Sequence, residues 1–293
     1  MGKIDDIQAY KEWTEYHRSL KRDKAADNLS PVERKKKLEK LANVIEWILF
    51  FFSEFAKYPF TKFHKKAIKR ITTNMEWYEV LSWSRELAKS TIVFMCMMYL
   101  VLTGKKKNVL LISNSHENAV RLLEPYKKAF ESNSMLKAYY GDLREFGSWT
   151  ADEFTLTTGA TFRAIGALES PRGTRKDAVR PDTALVDDFD TDADCRNPDI
   201  LKKKWEWFEE ALFPTRSISE DLLVIFCGNL IALDCCVKRA GDKADHWDIV
   251  NIRDKDGKSS WPEKNTEERI NRIQSKISTK AFQQEYMNNP LSE

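Results

Sequence analysis

Ser84-Arg85-Glu86-Leu87-Ala88-Lys89-Ser90-Thr91 is a phosphate-loop signature without its glycines. A strand-like segment, Trp77-Tyr78-Glu79-Val80-Leu81, runs into it. The apolar block Ile92 to Leu102 follows, too short to span a membrane and long enough for a buried helix. A strand leading into a lysine-hydroxyl pair that opens a helix is the geometry nucleotide phosphates require. Backbone N–H groups and the helix N-terminus face the anion, the lysine reaches the terminal phosphates, and the hydroxyl ligates magnesium. The usual pattern has Gly where Trp83 and Ala88 stand. An alanine at 88 brings the backbone to phosphate past a methyl group, which a negative φ tolerates. By itself the octapeptide also reads as a buried helix with a basic first turn.

Composition narrows the rest. A chain of 293 residues can bury a large core, and its length suits one or two domains. Its 48 basic and 45 acidic residues nearly cancel, so any nucleic-acid contact must come from local patches. Ten glycines disfavour a Gly-rich barrel or a disordered linker protein. The five cysteines, Cys96, Cys195, Cys227, Cys235 and Cys236, form no C-x-x-C pair, and the four histidines supply no zinc spacing. An odd number of thiols in apolar runs points to a reducing, cytosolic compartment. The start, MGKIDDIQAYKEW, lacks an export signal, and Asp6 stands where a myristoylation site needs Ser or Thr.

Residues 1–57 read as a charged helical segment ending in an amphipathic helix with the cluster Ile48-Leu49-Phe50-Phe51-Phe52, closed by Pro59. Lys62, Lys65, Lys66, Lys69 and Arg70 then form a basic helix face, most simply a solvated one. From about residue 75 apolar strands alternate with helices. Val109 to Ser113, Thr183 to Val186 and Leu222 to Phe226 read as buried strands, and Phe154–Leu156 with Thr161–Ile165 reads as a hairpin around Gly159. Helices are predicted over Asp199 to Leu212 and from about Thr266 to Ser278. This alternation predicts an α/β fold with a mainly parallel sheet covered on both faces. A core over 58–250 and a small C-terminal subdomain over 251–293 complete the division.

Three further constellations carry chemistry. Ala184-Leu185-Val186-Asp187-Asp188 is an apolar strand whose carboxyl end bears two acids, as a magnesium site needs. The first acid holds the ion through water, and the second polarises an attacking water. Asp190, Asp192 and Asp194 continue the run, yet Ala193 and Asp199 stand where a calcium loop wants Gly and Glu. Cys227-Gly228-Asn229 ends another strand with a polar group able to sense the γ-phosphate, although Gly-Asn also suits a plain turn. Asn108 to Glu117 is a strand ending in Ser113-Asn114-Ser115. The order of these elements matches an additional-strand, RecA-like P-loop ATPase, in which one strand separates the phosphate-loop strand from the acidic one.

With these residues in place, the chain resembles the large subunit of tailed-phage terminases, the motor that packages double-stranded DNA into proheads. Ser84 to Thr91 looks like that family's deviant phosphate loop, which often carries an early Arg. Asn108–Ala119 resembles its second motif. Arg180-Pro181-Asp182 through Asp188 is similar to its lead into the acidic strand, and Gly228-Asn229 lies where its coupling motif does. Asp256-Gly257-Lys258, Trp261-Pro262-Glu263 and Phe282 through Pro290 look like the closing signature of the ATPase half. The resemblance covers residues 60–293. Two departures stand out: Asp188 occupies a position where the wider class has Glu, and Ala88 replaces the loop's second Gly.

The resemblance implies hydrolysis of ATP with Mg2+. Lys89 would hold the β/γ-phosphates, Ser90 and Asp187 the metal, Asp188 the attacking water, and Asn229 would sense the γ-phosphate. Ser84, Arg85, Glu86, Leu87, Ala88 and Thr91 would complete the nucleotide loop. Arg85 either stabilises developing charge or makes a surface ion pair. Arg172 and Arg175 are loop residues that could reach a neighbour's nucleotide or DNA. The implied partners are double-stranded DNA, a portal protein, a small terminase subunit and further copies in a pentameric ring on the prohead, with no membrane, in the host cytoplasm. The nuclease half that large terminases carry is not expected in this chain. A superfamily-2-like helicase and a non-catalytic DNA-binding scaffold remain as alternatives.

Overall fold

The computed structural model describes residues 29–41, 43–171 and 180–290. Two short helices, α1 (Pro31–Lys40) and α2 (Val44–Phe52), come first, each opened by a side-chain cap, from Ser30 and Asn43. α3 (Lys62–Thr73) leads to β1 (Trp77–Trp83), and α4 (Lys89–Leu102) follows the phosphate loop. Then come β2 (Asn108–Ser113), α5 (His116–Ser132), α6 (Ser134–Tyr140), β3 (Arg144–Trp149), β4 (Glu153–Leu156) and β5 (Thr161–Gly166). The acidic strand is β6 (Thr183–Asp187), followed by α7 (Asp192–Cys195) and α8 (Pro198–Glu206), which runs on as a π-helical turn over Trp207–Leu212. β7 (Leu223–Cys227), α9 (Cys236–Gly241), β8 (His246–Val250), α10 (Glu267–Gln274) and α11 (Thr279–Met287) close the described chain.

The eight strands form one sheet in the order β3-β4-β5-β2-β6-β7-β1-β8. Pairing is parallel from β5 through β8, and only the β3–β4 and β4–β5 ladders are antiparallel. β7 therefore lies between the phosphate-loop strand β1 and the acidic strand β6, the arrangement that defines the additional-strand class. The expected hairpin around Gly159 is β4–β5, with Gly159 at φ +82°. Registers align the strand ends: Leu81 pairs with Cys227, and Cys227 with Asp187. The segments after β1, β7, β6 and β2 thus emerge along one carboxyl edge, where open α/β sheets bind ligands.

Alternate strand residues feed two apolar layers. Leu81, Leu111, Leu185 and Ile225 pack toward α2 to α6, whereas Val80, Ile112, Val186 and Phe226 pack toward α8 and α9. Every residue of α4 from Ile92 to Val101 is buried, because the helix lies between the sheet and the α2–α3 layer. The amphipathic reading of α2 was too narrow: Trp47 through Phe52 are all buried. α6 covers the face that an amphipathic helix would expose, with Trp47 Nε1 donating to Tyr140 Oη at 2.9 Å and Asn133 Nδ2 to Phe51 O at 3.0 Å.

Charges are buried where the fold satisfies them. Lys106, 1% exposed, donates from Nζ to the carbonyls of Met75, Asp182 and Asp221 at 2.9, 3.0 and 3.0 Å. It ties together the segments entering β1, β6 and β7. Arg70, expected on the solvated face of α3, instead turns inward to Glu79 and Asp248 at 2.6 and 2.9 Å, because Glu79 is wholly buried on β1 and needs a counter-charge. The predicted helix over 266–278 is the shorter α10, and a further helix not predicted, α11, follows it, opened by the Ser278 cap. Residues 251–290 do not stand apart: Ile252, Trp261, Ile270 and Phe282 enter the same apolar layer as α2 to α4.

Candidate nucleotide-binding site

The loop between β1 and α4 is shaped by residues distant in sequence. Ser84 N–H donates to Val250 O at 2.8 Å, holding the loop's start to the end of β8. Glu86 and Ala88 have φ of +71° and +60°. The expectation of a negative φ at Ala88 fails, and the left-handed conformation costs a non-glycine residue about 1–2 kcal/mol. Tertiary bonds offset that strain. Glu86 O accepts from Lys264 Nζ at 2.7 Å and Asn265 Nδ2 at 3.1 Å, and Leu87 O bonds with His64 Nε2 at 2.9 Å. Lys264 also binds the Glu86 carboxylate at 2.9 Å, so its charge is committed to this anchor.

His64 has a defined tautomer. Its Nδ1 accepts from the Thr61 N–H at 3.1 Å, so Nε2 carries the proton and donates to Leu87 O. The ring is fully buried and 4.5 Å from Trp261, centroid to centroid. Burial pushes its pKa down to about 4, outweighing the Leu87 bond that favours the charged form, and the nearby Lys264 charge adds to the lowering.

Beyond the loop, α4 begins at Lys89, and the N–H groups of its first turn have no intrahelical acceptor. Lys89 Nζ donates to Asn229 Oδ1 at 3.1 Å and approaches Trp83 O at 3.5 Å. Ser90 Oγ donates to Asp187 Oδ2 at 2.6 Å. Burial raises the pKa of Asp187, and the adjacent Asp188 charge acts in the same direction. Lys89 and the Ser90 bond oppose the rise. Asp188 follows at φ +48°, its carbonyl accepting from Asn114 N–H at 3.3 Å. The left-handed turn leaves Asp188 exposed, lining a cleft of about 540 Å³ together with Ser84, Lys89, Ser90, Asn229 and Glu285.

The sites named from sequence therefore converge: loop, lysine, hydroxyl, Asp188 and Asn229 line one cleft, and buried Asp187 joins them through its bond from Ser90. Ser113-Asn114 lies against Asp188, with β6 and β7 between β2 and β1, and Ser113 lines a neighbouring cavity of about 420 Å³ together with Ser90, Thr91 and Asp187. Arg172 and Arg175 lie outside the described residues. Arg85 is 66% exposed along its side chain and forms an ion pair with Glu285 at 2.5 Å. Glu285, on α11, was not singled out as a site residue. Its backbone carbonyl also accepts from Arg85 N–H at 3.2 Å and Asn229 Nδ2 at 3.1 Å. Asn288, at φ +46°, donates to Ser82 O at 2.8 Å and accepts from Leu230 N–H at 3.1 Å. The signal for both was the closing signature over 282–290, whose residues cap the carboxyl edge of the sheet.

A sheet with this strand order and a lysine-hydroxyl loop opening α4 defines a P-loop NTPase fold of the additional-strand type. No family model matches the sequence, and no curated protein matches it. Among solved structures, the large terminase of bacteriophage HK97 is similar, with a TM-score of 0.55 and 14% identity over 83% of this chain and 54% of that one. The large terminase ATPase domain of Thermus phage P74-26 aligns at a TM-score of 0.49 and 18% identity, over 83% of this chain and 97% of that one. The chain spans about half the length of the HK97 protein, and the likeness is one of fold. Among the described residues, no helix is long and apolar enough to cross a membrane.

Proposed function

We propose that this chain is the ATPase domain of a large-terminase-type motor, which hydrolyses ATP to drive double-stranded DNA into a prohead. The observation that carries the reading is the convergence of Lys89, Ser90, Asp187, Asp188 and Asn229 at the carboxyl edge of a sheet that places β7 between β1 and β6. In this reading Lys89 holds the β/γ-phosphates, released from Asn229 as the anion takes its place. Arg85 reaches the loop's outer rim, and the first-turn amides of α4 meet phosphate oxygens.

The donor set fits Mg2+. Ser90 Oγ and the Asp187 carboxylate are hard oxygen ligands held together at the floor of the cleft. A buried carboxylate whose pKa is raised by desolvation gains most from a nearby cation. When bound, the ion would neutralise charge on the β- and γ-phosphates. Asp188, exposed to the cleft, would orient the attacking water and accept its proton. Its shorter side chain is brought forward by the left-handed turn at its own backbone. Asn229, bonded to both Lys89 and the Glu285 carbonyl, would report the γ-phosphate to the C-terminal helix.

The reading extends to a ring of copies on a portal, supplied with DNA by a small terminase subunit. The decisive experiment is steady-state ATP hydrolysis by purified Lys89→Ala protein. Loss of turnover with an unchanged circular dichroism spectrum is expected, because the lysine is half-exposed and bears no core load. Turnover at the wild-type rate would remove the phosphate-loop assignment.

A further inference from the structure

The outer face of α3 carries a stripe of uncompensated positive charge. Lys62, Lys65, Lys66 and Lys69 are all exposed. At about 100° per residue they fill an arc of roughly 100°, opposite the buried arc of His64, Ala67, Ile68 and Ile71. Among the described residues, none of the four makes an ion pair or a side-chain hydrogen bond, whereas Arg70 on the same helix is neutralised by Glu79 and Asp248. Between Glu54 and Glu76 the chain has no acidic residue, although acids and bases nearly balance overall.

This placement works against the helix. Lys62–Lys66 and Lys65–Lys69 are like charges four residues apart, which destabilises a helix. Lys62 and Lys65 lie in the first turn, where the helix dipole favours anions, and that turn holds no acid. An ordinary solvated face would interleave the signs, as α1 does with Glu33 and Glu39 among its lysines. A membrane-surface helix would bring apolar residues to the same contact, but the apolar arc of α3 is spent in the core.

We infer that this lysine stripe is a contact for the phosphate backbone of double-stranded DNA. The inference rests on the DNA-translocating function proposed above and names where the polymer is held. From Lys62 to Lys69 the helix rises about 10 Å, a length over which a duplex presents roughly six phosphate charges. Four ammonium groups on one side neutralise up to four of them. Flexible lysine stems suit a moving polymer, because point-charge contacts carry no base sequence and no fixed register.

The test is binding of a DNA duplex, by fluorescence anisotropy over a salt series, to wild-type protein and to Lys62→Gln/Lys65→Gln/Lys66→Gln/Lys69→Gln. The slope of log affinity against log salt should fall in magnitude by about three to four in the variant. Its thermal midpoint should equal or exceed that of wild type, since the substitutions relieve repulsion. A second variant, Lys35→Gln/Lys36→Gln/Lys37→Gln/Lys40→Gln on α1, removes the same charge elsewhere and should change the slope far less. Equal slopes in wild type and the α3 variant would overturn the inference and leave the DNA reading intact, as would an equal loss in the α1 variant. A weakened affinity for phosphatidylserine vesicles with unchanged DNA binding would also overturn it. Absence of any duplex binding by wild type would overturn both the stripe and the DNA half of the proposed function, while ATP hydrolysis, measured separately, judges the nucleotide site.

Discussion

Acidification should unlock the phosphate loop through a single imidazole. His64 is neutral in the folded protein, donating from Nε2 to Leu87 O and accepting at Nδ1 from the Thr61 N–H. A proton added at Nδ1 would oppose the Thr61 N–H, leave only the Thr61 hydroxyl at 2.9 Å to accept it, and place a charge inside a fully buried ring site. The folded-state pKa is about 4, against 6.5 for the free side chain. Between those values the unfolded chain binds the extra proton and the folded chain does not. Stability contributed by the neutral ring is therefore complete above pH 6.5, declines as pH falls toward 4, and loses its slope below that. One proton corresponds to at most about 1.4 kcal/mol per pH unit, and the interval amounts to about 3 kcal/mol. Urea unfolding of wild type and His64→Gln at several pH values between 4 and 7 isolates the effect. Glutamine keeps a donor near Leu87 O and does not titrate. The difference between the two stability curves should narrow by about 3 kcal/mol over that range. Curves that stay parallel would refute the neutral, loop-anchoring histidine.

Other consequences are equally direct. Asp188→Asn should abolish ATP hydrolysis while leaving the unfolding midpoint unchanged, since the carboxylate is exposed; normal turnover would place the base elsewhere. Ala88→Gly should raise stability by about 0.5–1 kcal/mol by relieving the left-handed alanine, and Ala88→Val should lower it, both read from urea midpoints. Lys106→Met strips three buried carbonyls of their donor and should destabilise by about 3 kcal/mol or more in the same assay. A double-mutant cycle on Arg85 and Glu285 should give a coupling of no more than about 1 kcal/mol in stability, as befits an exposed pair. A larger coupling in ATP hydrolysis would mark a role for Arg85 beyond that pair.

What the sequence disclosed and what it concealed follow from the range of the interactions. Lys89-Ser90 was legible because it opens an apolar helix just after a strand, and Asp187-Asp188 and Gly228-Asn229 because each sits at the end of an apolar strand; both are local signals. β8 was not read as a strand, since His246-Trp247-Asp248-Ile249-Val250 is half-buried at the sheet edge and lacks an apolar alternation. β3 was missed for the same reason, with four exposed residues at an edge. The backbone at Ala88 defied its residue type because Lys264, Asn265 and His64 fix the neighbouring carbonyls. No local rule reports such partners. Glu285 was hidden by distance: it meets Arg85 across 200 residues of chain.

That distance has a bearing on how the molecule comes into being. The loop between β1 and α4 leaves the ribosome early, but the groups that shape it leave late: Val250, Lys264, Asn265, Glu285 and Asn288. Contacts of such sequence separation form slowly, after the local ones. The sheet's middle strands can pair while the strained loop still lacks its braces. The shape of the cleft is then the last property the nascent chain acquires, so a polypeptide interrupted before α11 would hold most of its core and an unbraced loop.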